Sequence, residues 1–192
     1  MNNESTKKRN FSMFFITFFK KNLKIIIIII SIILIGFAVF IWLDIRNNNK
    51  NILISNQYNE AVILIKKDQK QKAINILKKI INEENNFYSP LSLYLILENQ
   101  LEEDPKKILE LFDKILTINK IDKANKDLIK IKKAFYLTIH GNEQKILDEL
   151  NPIINSNSIW RNEAILLLIN YFNSKGEKEK SNEYNELLTS KN

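Results

Sequence analysis

The sequence predicts an all-α protein in which a single N-terminal transmembrane helix precedes a right-handed array of about four helix pairs. Three observations support this prediction. A charge-free run of 19 residues, almost all apolar, lies near the N-terminus. Apolar residues then recur at helical spacing through the rest of the chain. With only 3 Gly and 3 Pro in 192 residues, an all-β fold with many tight turns is improbable.

The first predicted segment, residues 1–24, is a basic and Phe-rich tail. Five phenylalanines in it share one helical stripe, and basic residues lie on both sides of them. These are Phe11, Phe14, Phe15, Phe18 and Phe19. Two interpretations stay open: a short amphipathic helix on the inner leaflet, or an extended hydrophobic stretch with no role beyond membrane insertion.

Residues 25–43 form the predicted membrane span. Nineteen helical residues rise about 29 Å, close to the hydrocarbon thickness of about 30 Å. Trp42 lies at the far end, where an indole favours the membrane interface. A buried core helix would rarely be apolar on every face, and a cleaved signal peptide would end at a small-residue site. We therefore predict an uncleaved signal anchor.

The distribution of charge predicts the orientation of this anchor. Six basic residues precede the span, whereas only Arg46 and Lys50 follow it closely. The positive-inside rule therefore places residues 1–24 in the cytoplasm and 44–192 outside. In a bacterium with two membranes, the protein is expected to be a single-pass inner-membrane protein with a periplasmic C-terminal domain.

The distribution of charge along the chain also argues against a nucleic-acid partner. The formal net charge is +7, but residues 1–50 carry eight basic and two acidic groups, a net charge of +6. Residues 51–192 carry 21 basic and 20 acidic groups, a net charge of +1. Nucleic-acid binding needs a concentrated cationic face, which this C-terminal part does not have.

After a predicted polar linker at residues 44–50, residues 51–192 contain an internal repeat. The turn residues Asp68, Glu103, Gly141 and Gly176 follow one another at intervals of 35, 38 and 35 residues. A first helix precedes each turn, with a small or apolar residue seven positions before it (Ala61, Ile96, Ala134 and Ile169). A second helix follows, with mostly apolar or small residues 5, 9 and 12 positions after the turn, such as Ala73, Leu77 and Ile80. These offsets place the residues on one helix face.

Helix start and stop signals agree with this repeat. Asp104-Pro105 and Ser89-Pro90 each combine an N-cap with proline at the first helical position. Gly141 and Gly176 suit the left-handed position after a helix, and Ser158 is a weaker N-cap signal. The predicted helices are 52–67, 70–84, 90–102, 105–118, 122–140, 142–154, 158–174 and 177–189.

Four antiparallel helix pairs at this period resemble the tetratricopeptide repeat, although most of its first-helix signature is missing. A generic helical bundle is the alternative. With its anchor and basic tail, the chain also resembles the ancillary subunit of the SecYEG translocon, in its alphaproteobacterial form. The most specific likeness lies within residues 151–176, where Trp160-Arg161 is followed by Ala164 and a Lys-Gly-Glu helix end.

This resemblance implies a domain that binds translocating or newly arrived periplasmic proteins and their chaperones. It implies no catalytic residues. The Phe-rich tail and the Lys- and Asn-rich repeat surface depart from the family pattern. We therefore expect a membrane-tethered protein-interaction module, an accessory subunit of the translocon or of a periplasmic chaperone network. The alternative is a scaffold or coordinator for the assembly of a cell-envelope or cell-division complex.

Composition makes an enzyme a poor expectation. The chain has no cysteine, which excludes disulfides, thiolate metal sites and cysteine nucleophiles. One histidine leaves little for a metal site or a catalytic triad, and three glycines supply no phosphate-binding loop. Paired carboxylates for acid–base chemistry stay possible, but nothing marks a cleft. We predict no catalytic or metal-binding residues, no cofactor and no small-molecule substrate.

Three further groups of residues lie at or near predicted helix ends. His140 precedes a glycine at a helix end, where a cation is favoured by the helix dipole. Trp160 and Arg161 suit either a contact surface or the seam between two repeats. The acidic clusters Glu83-Glu84 and Glu102-Glu103-Asp104 lie at helix ends without metal-loop spacing, which indicates solvated ends.

Overall fold

The computed structural model describes the backbone of residues 3–189 and the side chains from Asn22 onward, apart from those at positions 26, 29, 30 and 47. Over these residues the protein is all-helical, as predicted, and contains no strand. Its eight helices are α1 (Asn3–Lys66), α2 (Lys70–Asn82), α3 (Tyr88–Glu98), α4 (Pro105–Leu116), α5 (Lys123–His140), α6 (Glu143–Ile154), α7 (Arg161–Lys175) and α8 (Lys178–Thr189).

The chain divides into two compact units, Met1–Ile52 and Leu53–Asn192. In the first unit, the described apolar side chains of the predicted span are exposed on all sides. The stretch Ser31–Lys66 holds one segment that is long and apolar enough to cross a membrane. At the C-terminal end of the predicted span, the Arg46 guanidinium lies 5.5 Å from the centre of the Trp42 ring.

Helix α1 continues through residues 44–50, which the sequence predicts as a linker. This segment contains no glycine or proline to end the helix. Within it, the Asn48 amide donates to the Asp44 carboxylate four residues earlier, at 3.4 Å. The side chains of the Phe-rich stripe at residues 11–19 lie outside the described residues.

The second unit contains the last turns of α1 and helices α2 to α8. From α2 onward, each helix packs against the next, and α2 with α4 and α5 with α7 also pack together. The connections are only two to six residues long, so neighbouring helices run antiparallel. From α2 onward, the predicted helix positions agree with the observed ones to within a few residues, whereas the first predicted helix, 52–67, is the end of the longer helix α1.

The core of this unit consists of two apolar clusters. The first extends from Ile54 to Ile129, and the second from Ala134 to Phe172, so α5 contributes to both. The second-helix positions named by the repeat are buried in the first three pairs. They are Ala73, Leu77, Ile80, Ile108, Phe112, Ile115, Ile146, Leu150 and Ile153. In the fourth pair Ser181 is buried, whereas Asn185 is exposed.

Three of the four helix pairs share one turn geometry. Asp68, Gln100 and Gly176 all have a positive φ, at 56°, 49° and 78°. In each turn the next backbone N–H donates to a carbonyl five residues earlier, at 2.8–3.0 Å, which is the Schellman arrangement. The turn of the second pair is therefore at Gln100, not at the predicted Glu103, because α3 ends at Glu98.

Gly141 does not adopt the predicted left-handed conformation. Its φ is −128°, which is extended backbone. The glycine is needed here for a different reason. A Cβ atom at this position would lie 2.6 Å from Leu137 Cδ2 and 2.9 Å from the Leu137 carbonyl oxygen. Position 141 therefore requires glycine because it lies close to the last turn of α5, and not because its backbone is left-handed.

The helix N-termini show one confirmed cap and two corrections. Asp104 accepts from the Lys106 N–H at 2.9 Å with Pro105 at the first helical position, as predicted. Helix α3, however, begins at Tyr88, and Asn85 Oδ1 accepts the Tyr88 N–H at 2.8 Å. Ser89 therefore lies inside the helix and donates to the Ile80 carbonyl.

The second correction concerns Ser158, which is not the N-cap of α7. The helix begins at Arg161, and Ser158 Oγ donates to Asp127 at 2.7 Å. The acceptor is the side chain of Asp127, a buried residue of α5. The serine therefore joins the α6–α7 connection to α5.

One ion-pair network links three consecutive helices. The Lys133 ammonium of α5 lies 2.5 Å from a carboxylate oxygen of Asp113 in α4 and 2.5 Å from a carboxylate oxygen of Glu149 in α6. Burial opposes the charge of Lys133, but the hydrogen bonds to the two carboxylates outweigh this effect and raise its pKa. The pKa of Lys133 is therefore higher in the folded state than in the unfolded state. The ion-pair network stabilises the fold at neutral pH, and this stabilisation is lost as the pH rises through the folded-state pKa.

The left-handed turns give a first test of stability. We expect Gln100→Gly to raise the free energy of unfolding by about 0.5–1 kcal/mol, because glycine adopts this conformation without a Cβ clash. Gly176→Ala should lower it by about 1 kcal/mol for the same reason. Urea unfolding of the full chain in detergent micelles measures both. A loss of stability in Gln100→Gly would contradict the shared turn.

The Lys133 network gives a second test. Lys133→Met should destabilise the fold by about 1–3 kcal/mol, because it leaves the mostly buried Glu149 carboxylate without its partner. Adding Glu149→Gln to this variant should recover part of the loss, since the uncompensated charge is then removed. Equal unfolding midpoints for Lys133→Met and the unmodified protein would contradict this role.

Candidate functional site

A groove runs between the first helices of the helix pairs. It has a volume of about 830 Å³ and is lined by side chains from α3, α5 and α7. We call it the α3–α5–α7 groove. Tyr94 and Leu97 of α3 form one wall, Phe135 and Ile139 of α5 form the other, and Leu167 comes from α7. A concave, mostly apolar surface with few polar groups is typical of a binding site.

Helix α5 provides most of this groove because it has a second apolar stripe. Its packing stripe contains Ile129, Ala134 and Leu137, which are buried. The second stripe lies on a neighbouring face and consists of Leu128, Ile131, Phe135 and Ile139, spaced three or four residues apart. The Phe135 and Ile139 side chains are 61% and 70% exposed, so the fold does not use them for packing.

The repeat pattern of the sequence does not predict this second stripe. Its signal is present, because α5 is 18 residues long and has apolar residues on two faces between its lysines. The repeat positions identify only the packing face. An apolar residue count around the whole helix would have identified the other one.

Aromatic and charged groups give the groove a few polar positions. The Lys132 ammonium lies 4.7 Å from the centre of the Tyr94 ring, within the range of a cation–π interaction. Burial raises the pKa of Tyr94 to about 12, even further above neutral pH than usual, and its hydroxyl is a hydrogen-bond donor in the groove. Glu98 and Gln100 lie at the same end of the groove as His140.

His140 is part of this groove. It is the last residue of α5, and its ring stacks on Tyr136 with the ring centres 4.5 Å apart. Burial, followed by the charge of Asp104, raises the pKa of Tyr136. The imidazole is exposed, which places a polar aromatic surface at one end of a mostly apolar groove.

Trp160 and Arg161 lie away from the groove, at the start of α7. The Trp160 side chain is partly buried against the second apolar cluster. Arg161 Nε donates to the Ile154 carbonyl at 3.0 Å, and its Nη2 donates to the Leu187 carbonyl at 3.1 Å. Arg161 therefore donates hydrogen bonds to carbonyl groups at the C-terminal ends of α6 and α8. Its side chain lies in the seam between helices and does not form a free contact surface.

The sequence predicts solvated helix ends at the acidic clusters, but Glu102 and Asp104 take part in the fold. Glu102 pairs with Lys78 at 2.6 Å, and this hydrogen bond lowers the pKa of Glu102. Asp104 caps α4, and Glu84 is an exposed residue of the α2–α3 connection. Among the residues that the structure describes, no group of three or more His, Asp or Glu side chains could hold a metal ion.

Comparisons with known proteins add no relative to this description. No family model matches the chain, no curated protein matches it, and no solved structure matches it.

Proposed function

We propose that this protein is a membrane-tethered interaction module whose C-terminal domain binds other proteins through the α3–α5–α7 groove. The observation that supports this proposal best is that Phe135 and Ile139, two residues of the second apolar stripe of α5, stay exposed inside a concave surface. Protein-binding surfaces commonly combine apolar anchors with a few oriented polar groups. In this groove Phe135 and Ile139 are the anchors, and Lys132, Glu98 and His140 are the polar groups.

The domain is a tetratricopeptide-like right-handed array in this proposal. Contacts between consecutive helices, together with α5–α7 and α2–α4 contacts, support stacking of helix pairs. The turn geometry shared by Asp68, Gln100 and Gly176 supports a structural repeat. In such an array the first helices of successive pairs line one surface, and α3, α5 and α7 are the first helices of pairs two to four.

Residues 25–43 anchor the module in the bacterial inner membrane, with the tail inside and the array in the periplasm. The exposure of the described apolar residues supports a membrane span over a soluble core helix. Six preceding lysines and arginines support the orientation. Confinement at the membrane raises the effective concentration of any partner that is also bound there.

The proposed partners are the translocon, periplasmic chaperones and the proteins that they receive. The support is the resemblance of residues 151–176 to the translocon subunit family. The apolar groove suits such clients, because unfolded chains expose apolar side chains that a folded protein would bury. A scaffold for the assembly of an envelope or division complex is the alternative, and the partners recovered would distinguish the two.

Site-specific crosslinking tests the groove. A photoreactive residue at Phe135 or Ile139 should crosslink to translocon or chaperone components in intact cells, because these side chains line the groove. Ile63 is the matched control, since it is an exposed apolar residue of α1 that does not line the groove. Equal crosslinking from Ile63 and Phe135 would contradict the groove. Recovery of division or envelope-assembly proteins alone would support the scaffold.

The anchor gives a separate test. Leu34→Arg combined with Phe37→Arg adds about 5–7 kcal/mol to the cost of membrane insertion. Each apolar residue of the span supplies only a few tenths of a kcal/mol, so we expect this variant to leave the membrane on carbonate extraction. Leu34→Ala with Phe37→Ala should stay. An unmodified chain that is extracted by carbonate, or an alkaline phosphatase fusion after residue 189 that is inactive, would overturn the anchor or its orientation.

A further inference from the structure

The antiparallel array has two ends, and side-chain contacts show which connections share an end. Arg161 joins the start of α7 to the ends of α6 and α8. Lys114, near the end of α4, donates to Asn82 at the end of α2. Ser158 of the α6–α7 connection donates to Asp127, near the start of α5. The α2–α3, α4–α5 and α6–α7 connections and the end of α8 therefore lie together.

The second unit also begins at this end. Tyr58, close to the start of the unit at Leu53, lies 5.7 Å from Tyr88 at the start of α3, measured between ring centres. We call this end of the array the entry end, because the chain enters the unit there. It contains residues 83–87, 117–122, 155–160 and 187–189.

Large apolar side chains are exposed at the tips of the entry end. Ile159 in the α6–α7 connection is 75% exposed, and Phe87 in the α2–α3 connection is 61% exposed. Leu187 near the end of α8 is also exposed. Neither Ile159 nor Phe87 packs in the two apolar clusters.

The connections at the opposite end differ in character. They are residues 67–69, 99–104, 141–142 and 176–177, and they are rich in charged and polar groups. Their one large apolar residue, Leu101, packs against the first apolar cluster. The two exposed apolar residues nearest this end, Ile63 and Ile139, lie on the sides of α1 and α5 and not in a connection.

A short connection tethers the entry end to the apolar span. Nine residues, 44–52, lie between Leu43, the last residue of the predicted span, and Leu53, the first of the array. The ten Cα-to-Cα steps from Leu43 to Leu53, at about 3.3–3.6 Å each, reach at most about 36 Å. Chain connectivity alone therefore keeps the end of the array that carries the apolar tips within this distance of the end of the predicted span.

We propose that the entry end docks on the lipid surface of the membrane that holds the span, with Phe87 and Ile159 inserted into the interfacial region. This inference rests on the anchor of the proposed function but not on the groove. Aromatic and aliphatic side chains favour the interface because it accepts apolar groups while the neighbouring polar backbone stays hydrated. Docking at this end leaves the α3–α5–α7 groove, on the side of the array, open to partners.

The charges of the entry end indicate the kind of attraction. Within residues 83–87, 117–122, 155–160 and 187–189, the acidic residues Glu83, Glu84 and Asp122 outnumber the one basic residue, Lys120. Charge attraction to anionic headgroups, which salt screens, therefore contributes little. Docking through apolar tips is instead expected to persist at high salt and on vesicles of neutral phosphatidylcholine.

The absence of cysteine allows a direct test on the full chain. Single cysteines replace Phe87, Ile159, Ile139 or Phe37, and each carries an environment-sensitive fluorophore. The four proteins are reconstituted into phosphatidylcholine vesicles that contain spin-labelled lipids, which quench a fluorophore only at close range. Phe37→Cys reports the span, and Ile139→Cys is the matched control, because it is as exposed as the tips but is far from the entry end.

We expect lipid quenching at positions 37, 87 and 159 and none at 139, with the same pattern at low and high salt. Quenching at 37 without quenching at 87 and 159 would overturn the docking while leaving the anchor intact. Equal quenching at 139 and 159 would overturn it as well, because the array would then have no preferred end. No quenching at 37 would overturn the anchor and the docking together.

Discussion

Apolar stripes on consecutive helices bury one another from Ile54 to Phe172, and the rest of the folded unit depends on this burial. No single helix can form a core with one stripe, so each needs the helix before and the helix after it. Small residues make the approach close enough. Ala61, Ala73, Ala134 and Ala164 are all fully buried, and an alanine at a crossing allows helix axes to come near the lower limit of about 8 Å.

The groove exists because this close approach is not continued along the first helices. Where α5 meets α7, Ala134 and Ala164 belong to one cluster and the helices pack together. Between α3 and α5 the facing side chains are large, including Tyr94, Leu128 and Phe135. Large side chains hold helices apart, and the space between them is open to solvent. A difference in side-chain size around α5 therefore separates its packing surface from the groove.

Most of the helical architecture could be predicted from the sequence because it depends on local patterns. Apolar spacing locates the helices, and Asp104-Pro105 and Gly176 mark two of their ends. The corrections arise where tertiary contacts decide. Gly141 is extended because it lies against Leu137, and the second turn occurs at Gln100, a residue type with no turn preference that would reveal it.

The candidate site was harder to predict than the fold. To predict a groove, one must know the relative position of helices that are about 30 or more residues apart in sequence. The repeat positions describe only contacts between neighbouring helices. His140 illustrates the difference. Its place beside Gly141 predicts a helix-end cation, whereas its stacking on Tyr136 and its position in the groove come from the packing of α5 beside α3.

Helix α5 has a further consequence for the motions of the protein. Its first half contributes Ile129 to one cluster and its second half contributes Ala134 and Leu137 to the other. The folded unit can therefore open in two cooperative blocks, with the boundary inside a single helix. Amide hydrogens of α6 to α8 would then exchange as one group and those of α2 to α4 as another. A ligand held between α3 and α5 would couple the two blocks and slow the exchange of both.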